Sequence, residues 1–143
     1  MPEELNRVIV DMTVPPTESS VPLVRRAVRD AVHPADHVDP DALGDLVLVV
    51  SELAGNAVVH AGDVSRSIRA RCFAQPGHWR IELHDASPVL PRLRRSVEDG
   101  DSHGRGLRIV ERLSLSWGAA TSMRGKSVWA CVAVRRRCPD GGN

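Results

Sequence analysis

One apolar segment, Leu46 to Ala61 (LVLVVSELAGNAVVHA), constrains this chain more than any other. Glu52 is its only charged residue, and Glu52, Asn56 and His60 recur every four residues. Four residues turn an α-helix by about 400°, so each of these side chains sits about 40° from the one below it, on one face. A carboxylate, a carboxamide and an imidazole on so apolar a helix are costly unless they meet water, metal or ligand. The alternative is the wet edge of an ordinary amphipathic helix. Gly44, Ser51, Gly55 and Gly62 lie on the adjacent stripe, where their small size leaves room for something to lie against the helix.

The rest of the chain supplies short elements around that helix. Val8 to Met12 reads as a strand ended by Pro15 and Pro16. Glu18 to Val32 has helical periodicity through Val21, Val24, Val28 and Ala31, with arginines on the other face and Pro34 as the stop. Asp39 is placed to N-cap the apolar helix, with Pro40 at its first position, and Gly62 ends it near Ala61. Ser65–Phe73 and His78–His84 form a hairpin around Gln75-Pro76-Gly77, and Ser116–Ser122 and Lys126–Val134 form a second around Arg124-Gly125. Arg105 to Leu113 is a third helix beginning directly after Gly104. Residues 86–103, rich in Pro, Gly and mixed charge, read as a loop, and loops of that length in compact domains are commonly lids or disordered. The tail 135–143 is expected to fray. The order predicts one α/β (α+β) domain over 1–143: a two-layer sandwich, its mostly antiparallel mixed sheet covered on one face by three helices.

Composition removes several function classes. A net charge of +1 gives no global pull toward nucleic acid. Aromatics at 3%, with no Tyr and one Phe, leave little for base stacking. The arginine clusters at 92, 94 and 95 and at 135–137 are offset by Glu98, Asp99 and Asp101 or lie in the tail, so no direct nucleic-acid contact is expected. No apolar run is expected to approach a membrane span, and MPEELNRVIVDMT lacks the order of a signal peptide. Cys72, Cys131 and Cys138 are widely spaced, without a C-x-x-C pair, which fits a reducing cytoplasm better than zinc or disulfides. Pro34 breaks the helix that His33 and His37 would need to share a metal.

Three motifs fall in order along these elements. The first is E-x-x-x-N-x-x-x-H-A, Glu52 to Ala61; the second is Asp85-Ala86-Ser87-Pro88, an aspartate where a strand leaves the sheet; the third is Gly104-Arg105-Gly106-Leu107 after the long loop. Trp117-Gly118 and Gly125-Lys126-Ser127-Val128-Trp129 close the chain. In this arrangement, from about Val8 to Val134, the chain resembles the ATP-binding family shared by gyrase, histidine kinases, mismatch-repair ATPases and the large heat-shock chaperones. Within it the chain looks most like the stand-alone anti-sigma-factor serine/threonine kinases, especially the actinobacterial ones, which share a G-K-x-V-W closing strand.

The resemblance implies roles that the residue chemistry can carry. Glu52 would be the general base that activates a hydroxyl at the γ-phosphate of ATP. Asn56 would hold Mg²⁺, which prefers few protein ligands beside phosphates and water; a helix Asn bonded to nearby backbone is the alternative. His60 either helps shape the nucleotide pocket or is a packed core or rim histidine. Asp85 would accept the adenine amino group, although turn aspartates commonly cap their own backbone. The wider family has D-x-G-x-G here, so Ala86-Ser87-Pro88 departs from it and matches the actinobacterial form. Gly104 and Gly106 would let backbone N–H groups approach phosphate at a helix start, with Leu107 completing that motif. Arg105 would touch phosphate or face solvent, and Lys126 would reach the phosphates or sit solvated at a strand end.

Implied partners are a sigma factor and an anti-sigma-factor antagonist phosphorylated on serine; the Arg-rich first helix is a candidate contact, and a homodimer is left open. A nucleotide-gated binding module without phosphotransfer is the rival reading. An ATP-driven conformational machine is disfavoured, because no transducer domain accompanies the motifs.

Overall fold

Alternation along the strands decides what this sheet can cover. The computed structural model describes residues 6–61, 67–85, 102–122 and 125–135. Its elements run β1 (Arg7–Val14), α1 (Ser20–Ala31), a short 3₁₀ turn (Pro34–Asp36), α2 (Pro40–Ala61), β2 (Ile68–Gln75), β3 (His78–Asp85), α3 (Ser102–Leu113), β4 (Ser116–Ser122) and β5 (Gly125–Ala133). The five strands pair in the order β1-β2-β3-β5-β4. All four pairings are antiparallel. This is the expected mostly antiparallel sheet, and among the described residues no parallel pair occurs.

Successive strand residues face opposite sides. Cross-strand registers align Met12, Ala70, Leu83 and Val128 in one row and Val10, Cys72, Ile81 and Ala130 in the next. These rows join Val24 and Val28 of α1, Leu46, Val49, Val50 and Leu53 of α2 and Val110 of α3 in one core. Burial pushes the Cys72 thiol up to about 12, so it behaves as a small core hydrophobe. All three helices thus cover one face, as the apolar positions require.

Helix starts and stops follow local chemistry. Asp39 caps α2: its Oδ1 accepts from the Asp41 N–H at 3.2 Å. Pro76-Gly77 makes the first hairpin turn, with Gly77 at φ +80° in the left-handed region that glycine enters without cost. Two expectations need correction. α2 from Pro40 to His60 is, by length and composition, apolar enough to cross a bilayer, yet half of that window is buried within the fold, against the sheet, α1 and α3. The tail does not fray at its first residue: Arg135 lies 3.2 Å from Asp45 Oδ2 and its carbonyl accepts the Asp39 N–H at 2.7 Å. Residues 136–143 lie outside the described residues, as does the proposed lid apart from its last two residues. Those two, Ser102 and His103, are helical: α3 begins two residues before Gly104 rather than after it. Helical glycine costs about 1 kcal/mol but does not forbid a helix whose apolar face is buried.

The other face of the sheet is laced with charge. Arg69 grips Asp11 with two hydrogen bonds, at 2.9 and 2.8 Å. Arg80 and His84 both reach Glu82, at 2.8 and 3.1 Å. Burial pushes the Glu82 carboxyl up, but the hydrogen bonds from Arg80 and His84 outweigh it and hold the group below its ordinary range. Arg80 also lies over the Trp129 ring, 4.5 Å from its centre.

Two outcomes are expected. A Cβ on Gly118 would fall 2.8 Å from Cζ2 of Trp129, whose ring Arg80 braces from one side. Gly118→Ala should therefore destabilise the fold by about 1–3 kcal/mol in urea titration. Because the folded pKa of Glu82 is lowered, its contribution is present above the ordinary value of 4.5 and is lost as pH falls through the folded value. Glu82→Gln should cost about 0.5–1 kcal/mol at neutral pH, as befits a pair partly open to solvent. That gap should close on acidification.

Candidate functional site

The burial of α2 sets the orientation of its polar stripe. Leu46, Val49, Val50, Leu53 and Ala57 face the core. Asn56 lies one residue from Ala57 and three from Leu53, so it is carried to the edge of that core and is only 7% exposed. Glu52 and His60, one turn to either side, are half-buried. The structure thus keeps the three residues on one face, with the carboxamide deepest.

Asn56 fits a ligand-holding role. Its Nδ2 is buried without a hydrogen-bond partner among the described residues. A buried amide group left so costs about 1–3 kcal/mol, which water or a bound group would relieve. Among the described residues no three His, Cys, Asp or Glu side chains converge on a common metal position.

The small stripe on α2 divides. Gly44 and Ser51 line an open groove of about 360 Å³ together with Leu43, Leu48 and two α1 arginines, Arg25 and Arg29. Gly55 has open space where a Cβ would be. Part of the room left by small residues therefore faces α1 rather than the polar stripe.

Asp85 ends β3 and Lys126 begins the interior of β5, and the register makes them direct cross-strand partners. Asp85 has the parity of Leu83, and Lys126 that of Val128, so both point to the helix-covered side. Lys126 Nζ lies 3.7 Å from Asp85 Oδ2, with the two side chains 2% and 1% exposed. Burial pulls the Lys126 ammonium below its ordinary range, and the Asp85 carboxylate pulls it back. α2 packs on both strands, so the polar stripe and the charged pair belong to adjoining elements.

In α3, Gly104 lies in the first turn, where N–H groups have no carbonyl four residues back, and Gly106 lies beyond it. Leu107 is 2% exposed, which is a packing position. The side chain of Arg105 is outside the described residues.

Sequence reasoning missed the Asp85–Lys126 pair. Each strand was legible, but β3 and β5 are separated along the chain by α3 and β4, so their register is visible only in three dimensions.

Residues 14–132 match the family described as histidine kinase-like ATPase domain. Among solved structures, the crystal structure of the RsbU and RsbW domains of Rv1364c from Mycobacterium tuberculosis superposes with a TM-score of 0.62 at 18% sequence identity. The match covers 90% of this chain and 33% of that one, so this chain spans about a third of that chain's length. At such identity the likeness is one of fold. No curated protein sequence matches the chain.

The buried pair should reveal itself in stability. Removing one member leaves the other charge uncompensated, which costs about 3–5 kcal/mol. Asp85→Asn and Lys126→Met should each lower the urea midpoint. The double variant should lose less than the sum of the two, with a coupling of about 0.5–3 kcal/mol. Strict additivity would show that the two groups do not interact.

Proposed function

Because the chain belongs to the histidine kinase-like ATPase domain family, we propose that it binds Mg-ATP against α2 and acts as a serine/threonine protein kinase. Its acceptor would be the antagonist of an anti-sigma factor, and the outcome control of a sigma factor. The observation that carries this reading is the single face of α2 with half-buried Glu52 beside buried Asn56. That face adjoins strands that hold a buried carboxylate.

Each role follows from chemistry. Glu52 accepts the proton of the partner serine hydroxyl as its oxygen attacks the γ-phosphorus, and ADP departs. Asn56 offers a neutral oxygen to Mg²⁺, which neutralises phosphate charge when bound. Asp85 accepts from the adenine amino group. Gly104 and the first turn of α3 offer N–H groups and the positive end of the helix dipole to phosphate. Phosphoryl transfer depends mostly on positioning and charge stabilisation, so this small set of groups suffices. Similarity in fold to a protein with RsbU and RsbW domains supports the regulatory setting.

A second reading, a nucleotide-gated binding module without transfer, is favoured by one feature. Asp85 is followed by Ala86-Ser87-Pro88 where the wider family has glycines.

The deciding experiment is radiolabelled phosphate transfer from ATP to a partner recovered by pull-down, alongside calorimetric ATP affinity. Glu52→Gln keeps the side-chain shape and loses the base, so transfer should fall about 10²–10⁴-fold while ATP affinity changes little. Asn56→Ala should lose the Mg²⁺-dependent part of affinity as well as transfer. Equal transfer by wild type and Glu52→Gln would remove Glu52 as the base. ATP binding without transfer to any partner would leave the binding module.

A further inference from the structure

We propose that Lys126 is a second base-reading group: its ammonium donates to ring nitrogen N1 of adenine while Asp85 accepts from the neighbouring 6-amino group. The inference rests on the ATP-binding reading above and deepens it.

Lys126 and Asp85 face each other across β5 and β3, on the helix-covered side of the sheet. Wherever a base meets the Asp85 carboxylate, the Lys126 ammonium, 3.7 Å from that carboxylate, is within reach of the same base edge. Phosphates lie a full nucleoside away from the base edge, so one lysine does not serve both ends.

The two side chains are 2% and 1% exposed, yet their separation exceeds the 2.7–2.9 Å of a charge-assisted hydrogen bond, about the closest approach such pairs make. So little exposure strengthens any hydrogen bond that a bound base makes with either group, because water does not compete for it.

The Watson–Crick edge of adenine places a donor, the amino group, beside an acceptor, N1. Asp85 and Lys126 place an acceptor beside a donor. Guanine reverses both positions, setting its carbonyl against the carboxylate and its N1–H against the ammonium. Sites that hydrogen-bond a ligand group reject analogues lacking that group far more strongly than apolar pockets reject a change of shape. Two mismatches together should exclude guanine more firmly than Asp85 alone.

The test is a calorimetric cycle with Mg-ATP and Mg-1-deaza-ATP, in which C–H replaces N1. Wild type should bind the analogue about 10–100-fold more weakly than ATP, the scale of a lost hydrogen bond to a charged group. Lys126→Met should bind ATP weakly by a similar factor and no longer distinguish the two. Equal binding of both nucleotides by wild type, or a preference for ATP that survives in Lys126→Met, overturns the role of Lys126 and leaves the ATP site standing. If wild type binds neither nucleotide, the ATP reading falls and this inference with it. Should Lys126→Met fail to fold by circular dichroism, Lys126→Arg carries the comparison. It retains a donor and should retain a preference for ATP, and losing none of its affinity for the analogue relative to ATP would overturn the proposal.

Discussion

Helix α2 lies against the sheet with α1 on one flank and α3 on the other, and its apolar side chains share one core with both helices and four strands. Each fully buried Val or Leu contributes roughly 1.5–3 kcal/mol of transfer free energy. Leu46, Val49, Val50 and Leu53, each at most 1% exposed, therefore set the rotation of the helix about its axis. No other element has so many partners. Once that rotation is set, the directions of Glu52, Asn56 and His60 are set with it.

This coupling explains why a polar stripe persists on so apolar a helix. Rotating α2 to hide Glu52 would expose the residues that hold it to the sheet. Asn56 is carried inward by its neighbours Leu53 and Ala57, and a group at the core boundary loses water without gaining much else. Its unpartnered Nδ2 is the local sign of that compromise. Natural sequences break local rules of this kind mainly where a ligand repays them.

Charge is handled differently on the two faces of the sheet. On the outer face, Asp11, Arg69, Arg80, Glu82 and His84 pair at hydrogen-bonding distance while still touching water. Such pairs are worth little individually but blunt a surface that no helix among the described residues covers. On the inner face the Asp85–Lys126 pair is nearly sealed and wider, at 3.7 Å. The first arrangement suits solubility. The second places two opposite charges where water hardly reaches.

Hydrophobic period and turn chemistry are local properties, and the sequence carried them to within a few residues. α2, both hairpins, the Asp39 cap and the Pro76-Gly77 turn are all legible from neighbours along the chain. The common face of Glu52, Asn56 and His60 is legible too, because a helix repeats at a known angle. What tertiary structure alone decided is long-range. β3 beside β5 brings Lys126 to Asp85, Arg135 returns to anchor the start of α2, and α3 absorbs Gly104 into its first turn because its buried face outweighs glycine's reluctance. No local preference encodes a strand register between segments so far apart; burial of one shared core does.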